Sequence, residues 1–418
     1  MQSRSATALT LNPAFLLGSL IAIYFLIGRW TFARLSGDYD QVPLFEQPRV
    51  WTVAMIIVLA GIVFTELRHR GSYRPQSVDV AIIVWFTYVL MSAIWAPDAE
   101  LAAEKFVEVA MMLVVAVAIA MVRSPDTQGQ ALLGFWWTLV AMGAAMGLLA
   151  LYMSTGGRVF TPTGGPNIFG RNMGLTGIGA LMLATRSFSL AKVSLYTIVL
   201  LSAVWVVMCG SRGALLATGV AGIVLFLTAR VGFTTKITAS LAFSIAAIFM
   251  FANTEAGRNA TDVFRNRILR QTIEQRYTAD RDDLFIEAYE LGMEKPIIGW
   301  GLSGFLANSW IYPHNLFLET FAEGGMIGVL LLMWIFWKWW TSLRRDRRAM
   351  TGTSLAAMVL LVVAASFSGN YYDSRGVFLF LALSVEAIMP NRLPALAPSP
   401  STVESPALGS MSAAPVGS

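Results

Sequence analysis

The chain is built of long apolar runs separated by short polar connections. A membrane-spanning helix needs about 20 mainly apolar residues, fewer where flanking side chains reach back to the interface. That window selects about twelve runs, at 14–28, 50–66, 79–95, 106–122, 132–153, 172–185, 193–209, 213–229, 237–252, 314–337, 354–368 and 376–389. The sixth and the last two are short, a length that suits a tilted or half-buried helix. After Pro390 the sequence NRLPALAPSPSTVESPALGSMSAAPVGS has almost no bulky apolar side chains and is expected to be disordered. The predicted fold is therefore an all-α polytopic membrane protein. Residues 1–252 form spans one to nine with short loops, 253–313 an external loop domain, 314–390 spans ten to twelve, and 391–418 a tail.

Composition strengthens this picture. Charged residues make up 13% of the chain, against about 25% in ordinary soluble domains, and the mean hydropathy is +0.63. The single cysteine, Cys209, rules out an internal disulfide framework. Arg4 followed by the apolar run from Ala14 to Ile27 imitates a signal peptide. It continues into Gly28-Arg29-Trp30 rather than a small-residue cleavage site, so it is expected to be a retained first span.

The net charge of +5 is modest, and its placement matters more. With the N-terminus inside, the basic loops 66–74, 186–192, 229–236 and 338–348 fall on the internal side, as the loop-charge bias requires. The opposite topology would translocate Arg344, Arg345, Arg347 and Arg348. N-in, C-in puts four atypical segments on one external face: 156–172, 210–213, 253–313 and 368–376. Their cations are overwhelmingly arginines: 158, 171, 212, 258, 265, 267, 270, 276, 281 and 375. Guanidinium binds phosphate oxygens bidentately and stays charged at any working pH, which points to an anionic ligand.

Each local motif carries two readings. Arg212, in Gly210-Ser211-Arg212-Gly213, is either a snorkelling arginine at a tight turn or a fixed cation facing an anionic headgroup. The segment 156–172, with Pro162, Pro166 and Asn167, is either an ordered external loop or a re-entrant one aiming Arg158 and Arg171 into a cavity. Residues 257–295 are expected to be helical, with Arg265 and Arg281 facing inward. Asp280-Arg281-Asp282 fits the D-x-D pattern of metal-dependent sugar transferases, and Asp282-Asp283 fits equally the acidic start of a helix. His314 is either a structural histidine or a general base. Pro313 suits a first helical turn, whose positive end favours a neutral imidazole, and Asn315, Glu319 and Glu323 are placed to orient the ring or a substrate hydroxyl. His69, in a basic internal loop, is expected to be solvated. The glycine pairs 143/147 and 324/328 are expected to mark close helix packing.

Taken together, the S-R-G turn between two spans, P-x-x-G-x-G at Pro296, Gly299 and Gly301, H-N-x-x-L-E from His314 to Glu319, and G-G-x-x-G from Gly324 to Gly328 resemble the O-antigen ligase and polymerase superfamily. The Arg281-Asp282-Asp283-Leu284-Phe285 piece resembles that family's loop. The resemblance covers about residues 156–340. It implies a GT-C-like enzyme of the bacterial inner membrane whose external loop and active site face the periplasm. That enzyme is inverting and metal-independent, with no cofactor and no nucleic-acid partner. Its donor is an undecaprenyl-diphosphate-linked O-antigen and its acceptor lipid A-core, both met in the bilayer. By motif position, Arg212 and Arg281 hold the diphosphate and His314 acts on the acceptor hydroxyl. Arg265 joins them by its place in the loop, and Arg158, Arg171, Asn315 and Glu319 are substrate-binding candidates. Length and span number resemble the ligase branch. A chain polymerase of the same superfamily and a transporter of lipid-linked glycan remain as alternatives.

Overall fold

The computed structural model describes residues 12–27, 48–70, 75–122, 129–153, 158–185, 187, 189–229, 232–274, 281–309, 311–345 and 352–386. Arg276, Asp280, Arg347, Arg348, the side chain of His69 and the tail after Pro390 lie outside the described residues. The helices are α1 (Pro13–Ile27), α2 (Pro48–Arg70), α3 (Ser77–Met91), α4 (Ala99–Val122), α5 (Gln130–Met153), α6 (Pro166–Ala184), α7 (Ser189–Met208) and α8 (Arg212–Thr228). They continue with α9 (Phe233–Asn253), α10 (Glu255–Val263), α11 (Arg281–Glu294), α12 (Gly304–Asn308), α13 (Leu316–Arg345), α14 (Gly352–Ala365) and α15 (Arg375–Glu386). A 3₁₀ turn, Ser92–Trp95, extends α3, and a π-helical segment, Phe264–Glu274, follows α10.

Among the described residues, six helices are long and apolar enough to cross a bilayer: α3 with its 3₁₀ extension, α4, α5, α7, α9 and α13. Shorter apolar helices lie at α1, α8, α14, α15 and within α2. This is the architecture of a multi-pass membrane protein. The expected sixth span, 172–185, is instead part of α6, which carries Arg171, Asn172 and Thr176 buried in the middle of the bundle. Its start also departs from expectation. Pro166 counted as helix-disfavouring in the sequence, yet it occupies the first turn of α6 after the N-cap Gly165. Proline is favoured there, because its missing N–H is one that no helix could pair. Among the described residues the irregular stretch is 158–165, with a tight turn at Thr161–Gly164, and Arg171 moves from loop to helix.

Packing relies on small residues. Gly18 and Gly134 let the backbones of α1 and α5 touch, since a Cβ on either would strike the other helix's carbonyl. The pair Gly143/Gly147 behaves as the spacing predicted, seating Thr176 and Trp205 on α5.

The pair Gly324/Gly328 also packs closely, against Tyr88 of α3, but a break lies between its two members. α13 is broken at Gly325, whose φ of 60° and ψ of −161° are not helical. A break inside a spanning helix strands backbone groups that lipid cannot satisfy. Here the preceding loop pairs them. Trp300 and Gly301 donate their N–H groups to the carbonyls of Ala322 (2.9 Å) and Glu323 (2.8 Å). Beyond the break, Pro296 and Ile297 offer carbonyls to the N–H groups of Met326 (2.8 Å) and Ile327 (3.2 Å). The Tyr88 hydroxyl donates to the Gly324 carbonyl at 2.8 Å. A Cβ on Gly299 would collide with Glu323, and one on Gly325 with Ile297. The P-x-x-G-x-G and G-G-x-x-G motifs are therefore two halves of one backbone junction. It docks the loop onto α13 and fixes where His314 emerges.

Candidate functional site

The site lies at the end of the bundle where α3 finishes and α4, α6, α8, α13 and α15 begin. His314 stands one residue before the N-cap of α13. Asn315 is that cap, its Oδ1 accepting the N–H groups of Phe317 (2.9 Å) and Leu318 (3.1 Å). Pro313 lies outside the helix rather than in its first turn, and His314 has a φ of 57°. A left-handed backbone at a non-glycine residue costs about 1–3 kcal/mol and persists only where the surroundings enforce it. Two contacts hold it there. The Tyr312 ring meets the imidazole edge-on, with centroids 4.8 Å apart, and the Gly369 N–H donates to Nδ1 at 3.2 Å.

Three of the expected arginines form a cluster drawn from separate elements, and Arg281 is the member that acts on this histidine. Arg281 opens α11, Arg212 opens α8 behind its N-cap Ser211, and Arg158 enters from the segment before α6. The Arg158 Nε–H is anchored on the Cys209 carbonyl at 3.1 Å, beside Gly210. The three lie within electrostatic reach of one another. Burial, followed by Arg212 and Arg158, holds the Arg281 guanidinium below its ordinary range. Burial, followed by Arg267 and Arg212, does the same to Arg158. His314 is likewise pushed down, first by burial and then by Arg281, while Asp373 acts in the opposite sense. The imidazole is therefore neutral over a wider pH range than a free histidine. The sequence pointed to the helix terminus alone; burial and Arg281 are what the tertiary structure adds.

Other candidates fall elsewhere. Arg265 is exposed on the π-helical segment, whereas Arg267, two residues on, is half-buried and acts on Arg158. A π turn changes which residues share a face, so α-helical periodicity misplaces them. Arg171 is buried in α6, its Nη1 on the Asp373 carbonyl at 2.6 Å. Arg375 mirrors it from α15, donating to the carbonyls of Tyr372 (2.9 Å) and Phe25 (2.8 Å). The two clamp the 369–374 turn from behind. Glu319 is fully buried and faces α4: Lys105 Nζ is 2.6 Å from its Oε1 and 2.6 Å from Glu323 Oε1. The same ammonium lies 4.3 Å above the Tyr371 ring. Glu319 and Asn315 thus have structural partners in addition to any substrate.

Sequence reasoning missed Lys105, Arg267, Gly369 and Asp373. Lys105 sits at the edge of a run that was begun one residue later, and a lone cation there was the available signal. Gly369 and Asp373 lie in the atypical segment 368–376, but nothing in the sequence joins them to His314. Asp282 begins α11 beside Arg281, as an acidic first turn should. Among the described residues no three His, Cys, Asp or Glu side chains gather to hold a metal ion, and Asp280 lies outside them.

Comparison with known proteins adds one finding. The O-Antigen ligase family model matches residues 197–333, which supports membership of the O-antigen ligase and polymerase superfamily. The matched stretch runs from α7 into α13 and includes Arg212, Arg267, Arg281 and His314. Arg158, Lys105 and the 369–374 turn lie outside it. No curated protein matches the chain.

Proposed function

We propose that this protein is a glycosyltransferase of the ligase type. It moves a glycan from undecaprenyl diphosphate to a sugar hydroxyl of lipid A-core on the periplasmic face of the inner membrane. The observation that carries the reading is the cluster of Arg158, Arg212 and Arg281, joined to His314 through Arg281, with Arg212, Arg281 and His314 in a stretch matching the O-Antigen ligase model. The acceptor oxygen attacks the anomeric carbon and forms the new glycosidic bond with inversion. The bond to the diphosphate breaks, and its electron pair leaves on the diphosphate oxygen. Fixed guanidinium groups stabilise that developing charge without reorganising. Binding an anion also offsets the burial, and after it the mutual repulsion, that hold Arg158 and Arg281 below their ordinary range. His314 stands on the acceptor side, and its Nε2 takes up the hydroxyl proton during the step.

Access for lipid substrates is supported by the helix arrangement. α8 and α9 are neighbours in sequence but hardly touch, α9 leaning instead on α7 and α10 with no buried residue of its own. A prenyl chain lying in the bilayer beside α8 would bring its diphosphate to Arg212, which opens that helix.

Transfer is tested with purified protein in proteoliposomes loaded with lipid-linked glycan and lipid A-core. A covalently joined product is expected. Movement of intact lipid-linked glycan with no joined product overturns the proposal in favour of transport. A null mutant that accumulates lipid-linked polymer alongside bare lipid A-core is expected for a ligase. One that makes lipopolysaccharide carrying a single repeat points to the polymerase branch.

A further inference from the structure

The contact between Gly369 and His314 constrains which nitrogen of the imidazole carries the proton. A backbone N–H can donate only to an unprotonated ring nitrogen, and in a neutral imidazole one nitrogen is a donor and the other an acceptor. With Gly369 N–H on Nδ1 at 3.2 Å, the proton of the neutral ring is on Nε2. Turning the ring over does not escape this, because Cδ2–H would then oppose the Gly369 N–H.

The contact is built into the fold. Gly369 has a φ of 83°, and a Cβ there would collide with Asp373, so the turn admits glycine at this position. Asp373 N–H is held by Asn370 Oδ1 at 3.1 Å, and the Asp373 and Tyr372 carbonyls by the buried Arg171 and Arg375. Two arginines that the reaction does not use therefore fix the position of one N–H group. The other groups bearing on the ring are the Tyr312 edge, Arg281 from α11 and the Asp373 carboxylate of the turn itself.

We infer that the 369–374 turn sets the tautomer of His314. In the resting protein Nε2 is a hydrogen-bond donor, and it becomes a proton acceptor only after Gly369 N–H leaves Nδ1. This rests on the functional reading above and adds a condition to it. In the exchange, Nε2 gives its proton to water and Nδ1 takes one from water. Asp373, beside the vacated N–H, is the acceptor for the new Nδ1–H. A base that is switched off while the donor waits cannot activate water against it, so the turn favours transfer over hydrolysis.

The chain has two histidines, so His69→Gln leaves His314 as the sole imidazole. Nitrogen-15 solid-state NMR of that protein, histidine-labelled in liposomes without substrate at about pH 8, reads the neutral ring directly. Nδ1 is identified by its coupling to Cγ. The expected spectrum has an unprotonated Nδ1 and a protonated Nε2, and a protonated Nδ1 as the main species overturns the inference. Gly369→Ala strains the turn and displaces the N–H, so a rise in the Nδ1–H fraction is expected. An unchanged ratio in a folded variant counts against the inference. The spectra are taken without substrate, so they succeed or fail independently of the transfer assay that tests the function.

Discussion

Two charged clusters lie at the same end of the bundle and are built on opposite principles. In the first, one ammonium, Lys105, sits between the carboxylates of Glu319 and Glu323 at 2.6 Å from each, and all three side chains are almost withdrawn from solvent. In the second, Arg158, Arg212 and Arg281 approach one another beside a half-buried His314, and arginine pushes against arginine. The first cluster is closed: it sets opposite charges in contact and ties α4 to the N-terminal half of α13. The second gathers like charges and is half-open. Burying like charges is unfavourable unless an anion completes the set. The contrast teaches that charge at a membrane protein's interface does not identify a site by itself. What marks the site is like charge that the fold gathers in one half-open place.

The comparison can be broken most sharply at the open cluster. His314→Ala is expected to lower kcat for transfer by about 10²–10⁴-fold with the fold intact, as loss of a general base does. Transfer retained at near-normal rate by a correctly folded variant removes the base assignment. Arg212→Ala and Arg281→Ala are each expected to cost about 10²–10³-fold in kcat, the scale of one lost charge-stabilising donor. Lysine at either position should restore charge but not the bidentate fork, giving an intermediate rate in the same assay.

The closed cluster should respond in stability. Lys105→Met leaves two buried carboxylates without their cation and is expected to destabilise the protein by about 3–5 kcal/mol. Thermal unfolding of the purified protein measures this. Adding Glu319→Gln and Glu323→Gln to Lys105→Met should recover much of the loss, because no buried charge then remains unpaired. If Lys105→Met unfolds like the parent but loses transfer, the cluster belongs to the site and the contrast fails.

The pH dependence sharpens the same distinction. The His314 pKa lies below the free-histidine value of about 6.5. Only the neutral ring can accept a proton, so kcat/KM should rise with pH through a midpoint below that value and stay flat above it. An acid limb at or above the free value contradicts the electrostatic description of the site. The smallest expected effect is at Arg265, exposed on the π segment. Arg265→Ala should change transfer less than Arg267→Ala, whose side chain acts on Arg158.

How much of this was legible in the chain varies by element. The long apolar runs at α4, α5, α7 and α9 declare themselves by composition, because lipid demands about 20 apolar residues whatever they pack against. The start of α6 was not legible, because a helix surrounded by other helices can hold Arg171, which a lipid-facing window rejects. The Gly324/Gly328 spacing suggested packing. The break at Gly325 depends on a loop some twenty-five residues upstream supplying the missing hydrogen bonds, which no local pattern reveals.

By itself, the sequence determined the membrane class, the helical content, the arginine-rich face and His314 as the residue to explain, since each follows from composition or from motifs read in order. Tertiary structure alone decided which cations meet. It selected Arg267 over Arg265 and withdrew Arg171 behind a turn. It paired Glu319 with a lysine 214 positions away, and it set a glycine N–H against Nδ1 of the histidine. The reason is physical. Hydropathy is a property of each residue and its near neighbours, whereas charge compensation and tautomer depend on distances between segments that are remote along the chain.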